Sequence, residues 1–164
     1  SPCPLPAVRF ERGPVCRLGG GGMQAERRWE PWGIHFFQRT EPDGGPGRVP
    51  AMDFLDGLST RTTAEVLAIL EAVAAGPPPS FSGGGMWEAM YGAMAGIYEV
   101  RVRGQRQNHR VFCLLVRDGK GLGGPSVVVI GGLSKPRRMP AMDRDYRTVA
   151  SDREEYRRTG RVFG

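Results

Sequence analysis

Two facing segments decide the fold of this chain: Ile97–Arg103 (IYEVRVR) and His109–Val116 (HRVFCLLV), joined by the polar link Gly104–Asn108. A short, glycine-started link between two strand-like runs is typical of a β-hairpin. Because successive side chains of a strand point to opposite faces, the first segment has an apolar and a charged face. The apolar face carries Tyr98, Val100 and Val102, and the charged face carries Glu99, Arg101 and Arg103.

The charged face has the residue types that a phosphodiester site needs. The hairpin is expected to bring Arg110 and His109 back beside Arg101 and Arg103. One guanidinium group can donate two parallel hydrogen bonds to the oxygens of a phosphate, and histidine titrates near neutral pH. RNA cleavage by the adjacent 2′-hydroxyl requires charge stabilisation and proton transfer. We therefore predict phosphate-binding arginines with His109 as the proton-transfer group; the alternative is a solvent-facing strand with weak Glu–Arg ion pairs.

A second basic cluster, LSKPRR at 133–138, follows a later apolar run. Lys135, Arg137 and Arg138 are predicted to contact a nucleic-acid backbone. A solubilising loop is the usual alternative for such a cluster. Adjacent strands would place both basic clusters on one edge of a single cleft, which favours the nucleic-acid interpretation.

Charge is distributed unevenly along the chain. Of the 23 Lys and Arg residues, 15 follow residue 96, but only 7 of the 17 Asp and Glu residues do. This imbalance favours a polyanionic partner for the C-terminal part over the alternative, a basic surface that is merely solvated. Three cysteines without CxxC spacing and two histidines give no disulfide framework or metal motif. We expect no metal or cofactor, no membrane span and a cytoplasmic location.

Residues 1–22 are rich in proline and glycine and have no periodic apolar pattern, so we interpret them as a flexible N-terminal extension. The domain is predicted to occupy residues 23–164. Trp32–Thr40 reads as a strand and Val49–Leu58 as a short helix. A second helix is predicted from a Thr62–Glu65 capping box, with an end at Gly76. Its apolar stripe is Val66, Ile69, Leu70 and Val73.

The remaining elements follow from shorter patterns. Residues 86–91 (MWEAMY) are interpreted as a packing segment with one helical turn. Ser126–Gly131 (SVVVIG) is a β-branched run suited to a central strand, and Ala141–Arg158 is predicted to be a helix. The order strand, helix, helix, three strands, helix indicates an α+β fold: a small antiparallel sheet with two N-terminal helices and a C-terminal helix.

These segments resemble the RelE/HigB superfamily of bacterial toxins, in particular its phage-derived HigB-like branch. The resemblance rests on YEVRVRGQRQNHRVFCLLV, VVVIGGLSKPRRMP and YRTVASDREEYRR, and on the first-helix segment PAMDFLDGL. The family's Glu-Leu-Arg strand corresponds to Glu99–Arg101, and its Tyr-Arg pair corresponds to His109–Arg110. Its Phe-x-Lys-Lys end corresponds to 133–138, and its terminal Glu/Asp-Tyr corresponds to Glu155–Tyr156. The similarity spans about Trp29 to Arg158.

The resemblance implies a RelE-like fold and the toxin of a type II toxin–antitoxin system. Such toxins are metal-independent mRNA endoribonucleases that act in the ribosomal A site and inhibit translation, and a small antitoxin, often a helix-turn-helix protein, neutralises them. Transferred by position, Arg101 and Arg110 would hold the scissile phosphate, with Lys135 or Arg137 assisting. Tyr146 would be the terminal-helix tyrosine that some relatives use for proton transfer.

The chain also departs from the family pattern. Histidine replaces tyrosine at position 109, Pro136 interrupts the lysine pair, and Glu99 stands where some active relatives carry lysine. Two alternatives therefore remain open: a non-catalytic RNA- or protein-binding module of the same fold, and a toxin that is inert when isolated from a stable complex.

Overall fold

The computed structural model describes residues 30–76 and 84–164, and the described residues from Pro31 onward form one compact unit. The described residues form an α+β fold with a five-stranded sheet and three α-helices. Its strands are β1 (Gly33–Phe36), β2 (Trp87–Ala89), β3 (Ile97–Gly104), β4 (Gln107–Val116) and β5 (Ser126–Pro136). Its helices are α1 (Pro50–Asp56), α2 (Thr60–Ala75) and α3 (Arg147–Thr159). Two 3₁₀ helices span Gly92–Met94 and Asp143–Tyr146.

The sheet has the strand order β1-β5-β4-β3-β2 and is mixed. Strands β2 to β5 pair antiparallel, whereas β1 lies parallel to β5. The prediction of a purely antiparallel sheet is therefore wrong at this edge. Parallel pairing requires a long connection between the two strands, and the chain from β1 to β5 supplies one that includes α1, α2 and the strands β2 to β4. The expected central strand is confirmed, since β5 lies between β1 and β4.

The helical turn expected at 86–91 is also wrong, because this segment adds strand β2 to the open edge of β3. Trp87 pairs with Val100 and stacks on Tyr98, with ring centroids 5.1 Å apart. The backbone N–H of Arg101 donates to the carbonyl oxygen of Met86 at 2.9 Å. Buried backbone groups require hydrogen-bond partners, and this requirement outweighs the weak local pattern.

Both predicted N-terminal helices are present, but α2 begins earlier than expected. Ser59 is its N-cap, and the Ser59 hydroxyl accepts a hydrogen bond from the backbone N–H of Thr62 at 3.1 Å. The predicted Thr62–Glu65 capping box is therefore wrong by one turn. The apolar stripe packs as expected: Val66, Leu70 and Val73 are buried, and Ile69 is partly buried.

Helices cover the sheet on both faces, each over its own hydrophobic cluster. Helices α1 and α2 pack on the face that carries Val100, Val102, Val111, Cys113, Val127 and Val129. Helix α3 packs with Val149 and Tyr156 on the opposite face, against Phe37, Ile97, Phe112, Leu114, Val128 and Ile130. Because Cys113 is fully buried, its thiol behaves as the expected small apolar group, and burial raises its pKa.

The predicted N-terminal extension, residues 1–22, lies outside the described residues. Within 30–76 and 84–164, the structure has no helix that is both long and apolar enough to cross a membrane.

Candidate functional site

The hairpin of β3 and β4 positions the predicted charged face. The strands are joined by the two-residue turn Gln105–Arg106, and Arg101 pairs directly with Arg110 across them. The predicted separation of faces is confirmed, since Val100 and Val102 pack under α1 and α2 while Glu99 and Arg101 lie on the α3 side.

Glu99 is the centre of this face. Its side chain is only 2% exposed, and its carboxylate accepts hydrogen bonds from Arg101 Nε at 2.6 Å and Arg110 Nη1 at 3.3 Å. Arg101 also pairs with Glu88 on β2 at 3.0 Å. Two like charges directly opposite each other on a sheet repel, and an isolated buried carboxylate is costly. In the cluster of Glu99, Arg101 and Arg110, the carboxylate offsets the repulsion between the two arginines, and the arginines offset the cost of burying the carboxylate. The alternative of weak, solvent-facing ion pairs therefore does not describe Glu99.

Tyr146 brings a neutral hydroxyl into this cluster. The Tyr146 hydroxyl oxygen accepts a hydrogen bond from Arg110 Nη1 at 3.0 Å, and its ring contacts Phe112 edge to face. Burial raises the pKa of Tyr146, while the positive charge of Arg110 opposes that rise. The phenol therefore keeps its proton at neutral pH. Because its oxygen is the acceptor towards Arg110, the hydroxyl proton is available to another group.

The 3₁₀ helix Asp143–Tyr146 is held against the end of β5. The Asp145 carboxylate accepts a hydrogen bond from the backbone N–H of Met142 at 2.8 Å and pairs with Lys135 Nζ at 2.9 Å. These partners, Met142 first and Lys135 second, lower the pKa of Asp145. Lys135 thus lies beside the predicted site and is engaged by a carboxylate; its contact with RNA stays a prediction.

The prediction that His109 lies beside the arginines is wrong. His109 is buried, pairs with Val102 on the α1/α2 face, and its Nδ1 lies 2.7 Å from the Ser134 hydroxyl. The physical reason is strand alternation: adjacent residues of β4 point to opposite faces, so Arg110 and His109 cannot share one. His109 is therefore placed as a buried, hydrogen-bonded residue, away from the predicted phosphate site.

The other predicted RNA-contact residues gather at one end of the sheet. The backbone N–H of Arg137 donates to the carbonyl oxygen of Arg106 at 3.0 Å, which joins the hairpin turn to the chain leaving β5. We name the four exposed arginines of this region the basic end. Its members are Arg103, Arg106, Arg137 and Arg138.

Sequence reasoning missed three functional candidates: Glu99 as the organiser of the arginines, Glu88 on β2, and Arg106 in the turn. A signal for Glu99 was present, because a single carboxylate between alternating apolar residues of a central hairpin strand requires cationic partners. Glu88 could not be assigned without the pairing of β2 with β3.

The arrangement supplies positive charge and a proton donor on one partly exposed surface. The side chains of Arg101 and Arg110 are 42% and 24% exposed, respectively. The side-chain hydrogen bonds of Arg110 with the described residues all use Nη1, so the other N–H groups of its guanidinium remain for a ligand. Among residues 30–76 and 84–164, no three His, Cys, Asp or Glu side chains form a group suited to hold a metal ion.

Comparisons with protein-family models, with curated proteins and with solved structures find no match to this chain.

Proposed function

We propose that this chain is a RelE/HigB-like toxin of a type II toxin–antitoxin system, a metal-independent mRNA endoribonuclease that inhibits translation. The substrate is single-stranded message, presented by the ribosome. The partner is a small antitoxin, often of the helix-turn-helix class in this superfamily. A RelE-like arrangement of the α+β fold is part of the same proposal.

One observation carries the proposal: Arg101 and Arg110 are fixed by the buried carboxylate of Glu99, with the Tyr146 hydroxyl 3.0 Å from Arg110. Guanidinium groups that are held in place before the substrate binds lose little freedom when they contact a phosphate. Preorganised positive charge is also the most effective means of stabilising a phosphorane. This preorganised charge supports the proposal of a phosphodiester site at the cluster.

Each side chain has a distinct role in the proposed reaction. The 2′-oxygen attacks the adjacent phosphorus, and its proton passes to solvent water. Arg101 and Arg110 stabilise the charge that develops on the phosphate oxygens. The bond from phosphorus to the 5′-oxygen then breaks, and Tyr146 donates its proton to that leaving oxygen. The products are a 2′,3′-cyclic phosphate and a free 5′-hydroxyl, and solvent returns a proton to Tyr146.

A second candidate, a non-catalytic RNA-binding module, is favoured by two observations. His109, the expected proton-transfer group, is buried on the opposite face, and Arg101 is already paired with both Glu99 and Glu88. Such a module would bind RNA with strong salt dependence and leave it intact.

The decisive experiment is induction of the protein in bacterial cells, followed by mapping of message 5′ ends by primer extension. We expect growth arrest and new ends within translated regions for the wild type. Arg110→Ala and Arg101→Ala should abolish both effects. The matched control is Arg61→Ala, which removes an arginine that is 91% exposed on α2.

The readouts separate the two candidates. Salt-sensitive RNA binding without new message ends would support the non-catalytic module and overturn the endoribonuclease. Full activity of a folded Arg110→Ala protein would remove this cluster from the mechanism.

A further inference from the structure

The hairpin turn between β3 and β4 has an unusual backbone for its sequence. Its two central residues, Gln105 and Arg106, have φ angles of 49° and 62°. Two-residue turns with positive φ at both positions strongly prefer Asn-Gly, because other side chains are strained there. Among non-glycine residues of the described chain, only these two adopt positive φ. Strain kept at an exposed tip points to a use for the side chains themselves.

The charges around this turn are not balanced locally. Arg101 and Arg110 each contact the carboxylate of Glu99, and the neighbouring Lys135 contacts the carboxylate of Asp145. By contrast, the side chains of the basic end have no ion pair with any described residue. Like charges held together repel each other, and a bound polyanion removes that repulsion.

We propose that the Gln105–Arg106 turn is a second RNA-contact element, which holds the phosphates that flank the cleaved linkage. The proposal rests on the proposed function, because it assigns this end of the sheet to the same RNA strand. Arg106 would bind a backbone phosphate together with Arg137 and Arg138. The exposed amide of Gln105 can both donate to and accept from the edge of an unstacked base.

The geometry limits how far the RNA must extend. Arg106 lies four residues before Arg110 along the hairpin, which corresponds to about 13 Å of strand. With one phosphate per about 3.4 Å of stacked strand, that span is about four nucleotides. The turn would therefore contact phosphates of the flanking RNA about four nucleotides from the cleaved linkage.

The test uses a substitution that improves the backbone fit of the turn but removes the charge of Arg106. The double variant Q105N/R106G installs the preferred Asn-Gly turn, so a merely structural role predicts equal or better function and an unchanged or raised melting temperature. The matched control is Arg157→Gln, which removes the charge of an exposed arginine on α3 beside the opposite end of the hairpin. Binding is measured by fluorescence anisotropy with a 2′-O-methyl single-stranded RNA, which lacks the nucleophile and cannot be cleaved.

We expect Q105N/R106G to keep or raise the melting temperature and to lose affinity for RNA. The slope of log affinity against log salt should fall by about 0.7, the value for one lost phosphate contact on a single strand. The slope of Arg157→Gln should match the wild type. Message cleavage in cells should fall at least about tenfold for the double variant, in line with the lost contact energy.

The outcomes distinguish the two proposals. An unchanged salt slope and unchanged binding in Q105N/R106G would overturn the turn as a contact element, whether or not the wild type cleaves RNA. If the wild type binds RNA but does not cleave it, the endoribonuclease proposal fails and the salt slope still decides this one. If the wild type does not bind the RNA, this proposal falls, and the mapping of message ends in cells still decides the endoribonuclease.

Discussion

Arg101 and Arg110 are directly paired across β3 and β4, and both guanidinium groups contact the same buried carboxylate, that of Glu99. A directly opposed pair of like charges destabilises a sheet, so this register would be unfavourable without Glu99. The carboxylate is 2% exposed and is itself costly to bury without cationic partners. The three residues therefore stabilise one another as a unit.

The substitution Glu99→Gln tests this mutual dependence. It keeps the size and shape of the side chain but leaves the two guanidinium groups to repel each other. We expect the free energy of unfolding to fall by about 2–3 kcal/mol, somewhat less than for a fully buried pair because both arginines reach solvent. RNA cleavage should fall as well, since the arginines lose their fixed positions.

Urea denaturation at neutral pH measures the effect of Glu99→Gln, with an unchanged slope expected against denaturant. The control is Glu154→Gln, which removes an exposed carboxylate paired with Arg157 on α3 at 2.9 Å. That control should change stability by at most about 0.5 kcal/mol. Equal effects in the two variants would contradict the central role of Glu99.

Tyr146→Phe separates proton transfer from packing. The variant keeps the ring that contacts Phe112 and removes the hydroxyl that accepts from Arg110. We expect about a 10²–10⁴-fold loss of the cleavage rate and a stability change of at most about 1.5 kcal/mol. Single-turnover cleavage by the purified protein and ribosomes measures the rate.

The pH dependence of cleavage adds a second readout for Tyr146. Because burial raises its pKa, Tyr146 remains protonated, and competent as an acid, through the range in which an ordinary tyrosine titrates near pH 10. The wild-type rate should therefore decline only above that range. The stability that the neutral phenol contributes depends on pH in the same direction. This contribution is fully present below the ordinary pKa of tyrosine and is lost as pH rises through the raised pKa of Tyr146. A Tyr146→Phe protein with the wild-type rate and alkaline limb would exclude Tyr146 as the acid.

The hairpin and the central strand could be predicted because their signals are local. Alternation in β3 separated Glu99 and Arg101 from Val100 and Val102, and a β-branched run marked β5. The same alternation also excluded His109 from the arginine face once Arg110 was placed on it. That inference was available from the sequence, so the error lay in treating two adjacent residues of one strand as neighbours in a site.

Other features depend on contacts between distant parts of the chain and could not be derived from local patterns. The strand at Trp87–Ala89 forms because β3 offers an unpaired edge, and the parallel pairing of β1 depends on where α1 and α2 pack. Tyr146 reaches Arg110 from a 3₁₀ helix whose neighbouring Asp145 is paired with Lys135 of β5 at 2.9 Å. Lys135, Asp145 and Tyr146 all lie more than thirty positions from Glu99 in the sequence.

We expect that the Lys135–Asp145 pair positions Tyr146, and that Lys135 does not act through RNA contact alone. Lys135→Met and Asp145→Asn should each lower the cleavage rate, because the 3₁₀ helix that carries Tyr146 loses its tie to β5. The charge-reversed double variant Lys135→Asp/Asp145→Lys should recover part of the activity. A double-mutant cycle on the cleavage rate measures this coupling.

If Lys135 acts only through RNA contact, Asp145→Asn should leave the rate unchanged and the reversed pair should show no recovery. The stability of the protein at acidic pH offers a further check. Because the pKa of Asp145 is lowered, its contribution to stability is present above its ordinary pKa near 3.8 and is lost only as pH falls through the lowered value. Asp145→Asn should therefore remove part of the stability difference between neutral and strongly acidic pH.

Two adjacent glycines of β5 give a sharp test of how the α1 layer packs on the sheet. A Cβ added at Gly132 would lie 2.1 Å from Phe54 Cδ1 of α1, whereas one added at Gly131 meets no atom within 4 Å. Gly132→Ala should therefore destabilise the protein by about 1–3 kcal/mol through overpacking, as the Phe54 ring must move. Gly131→Ala should change stability by less than about 0.5 kcal/mol. Urea denaturation of both variants measures the difference, and equal stabilities would mean that Phe54 does not pack on β5 at this position.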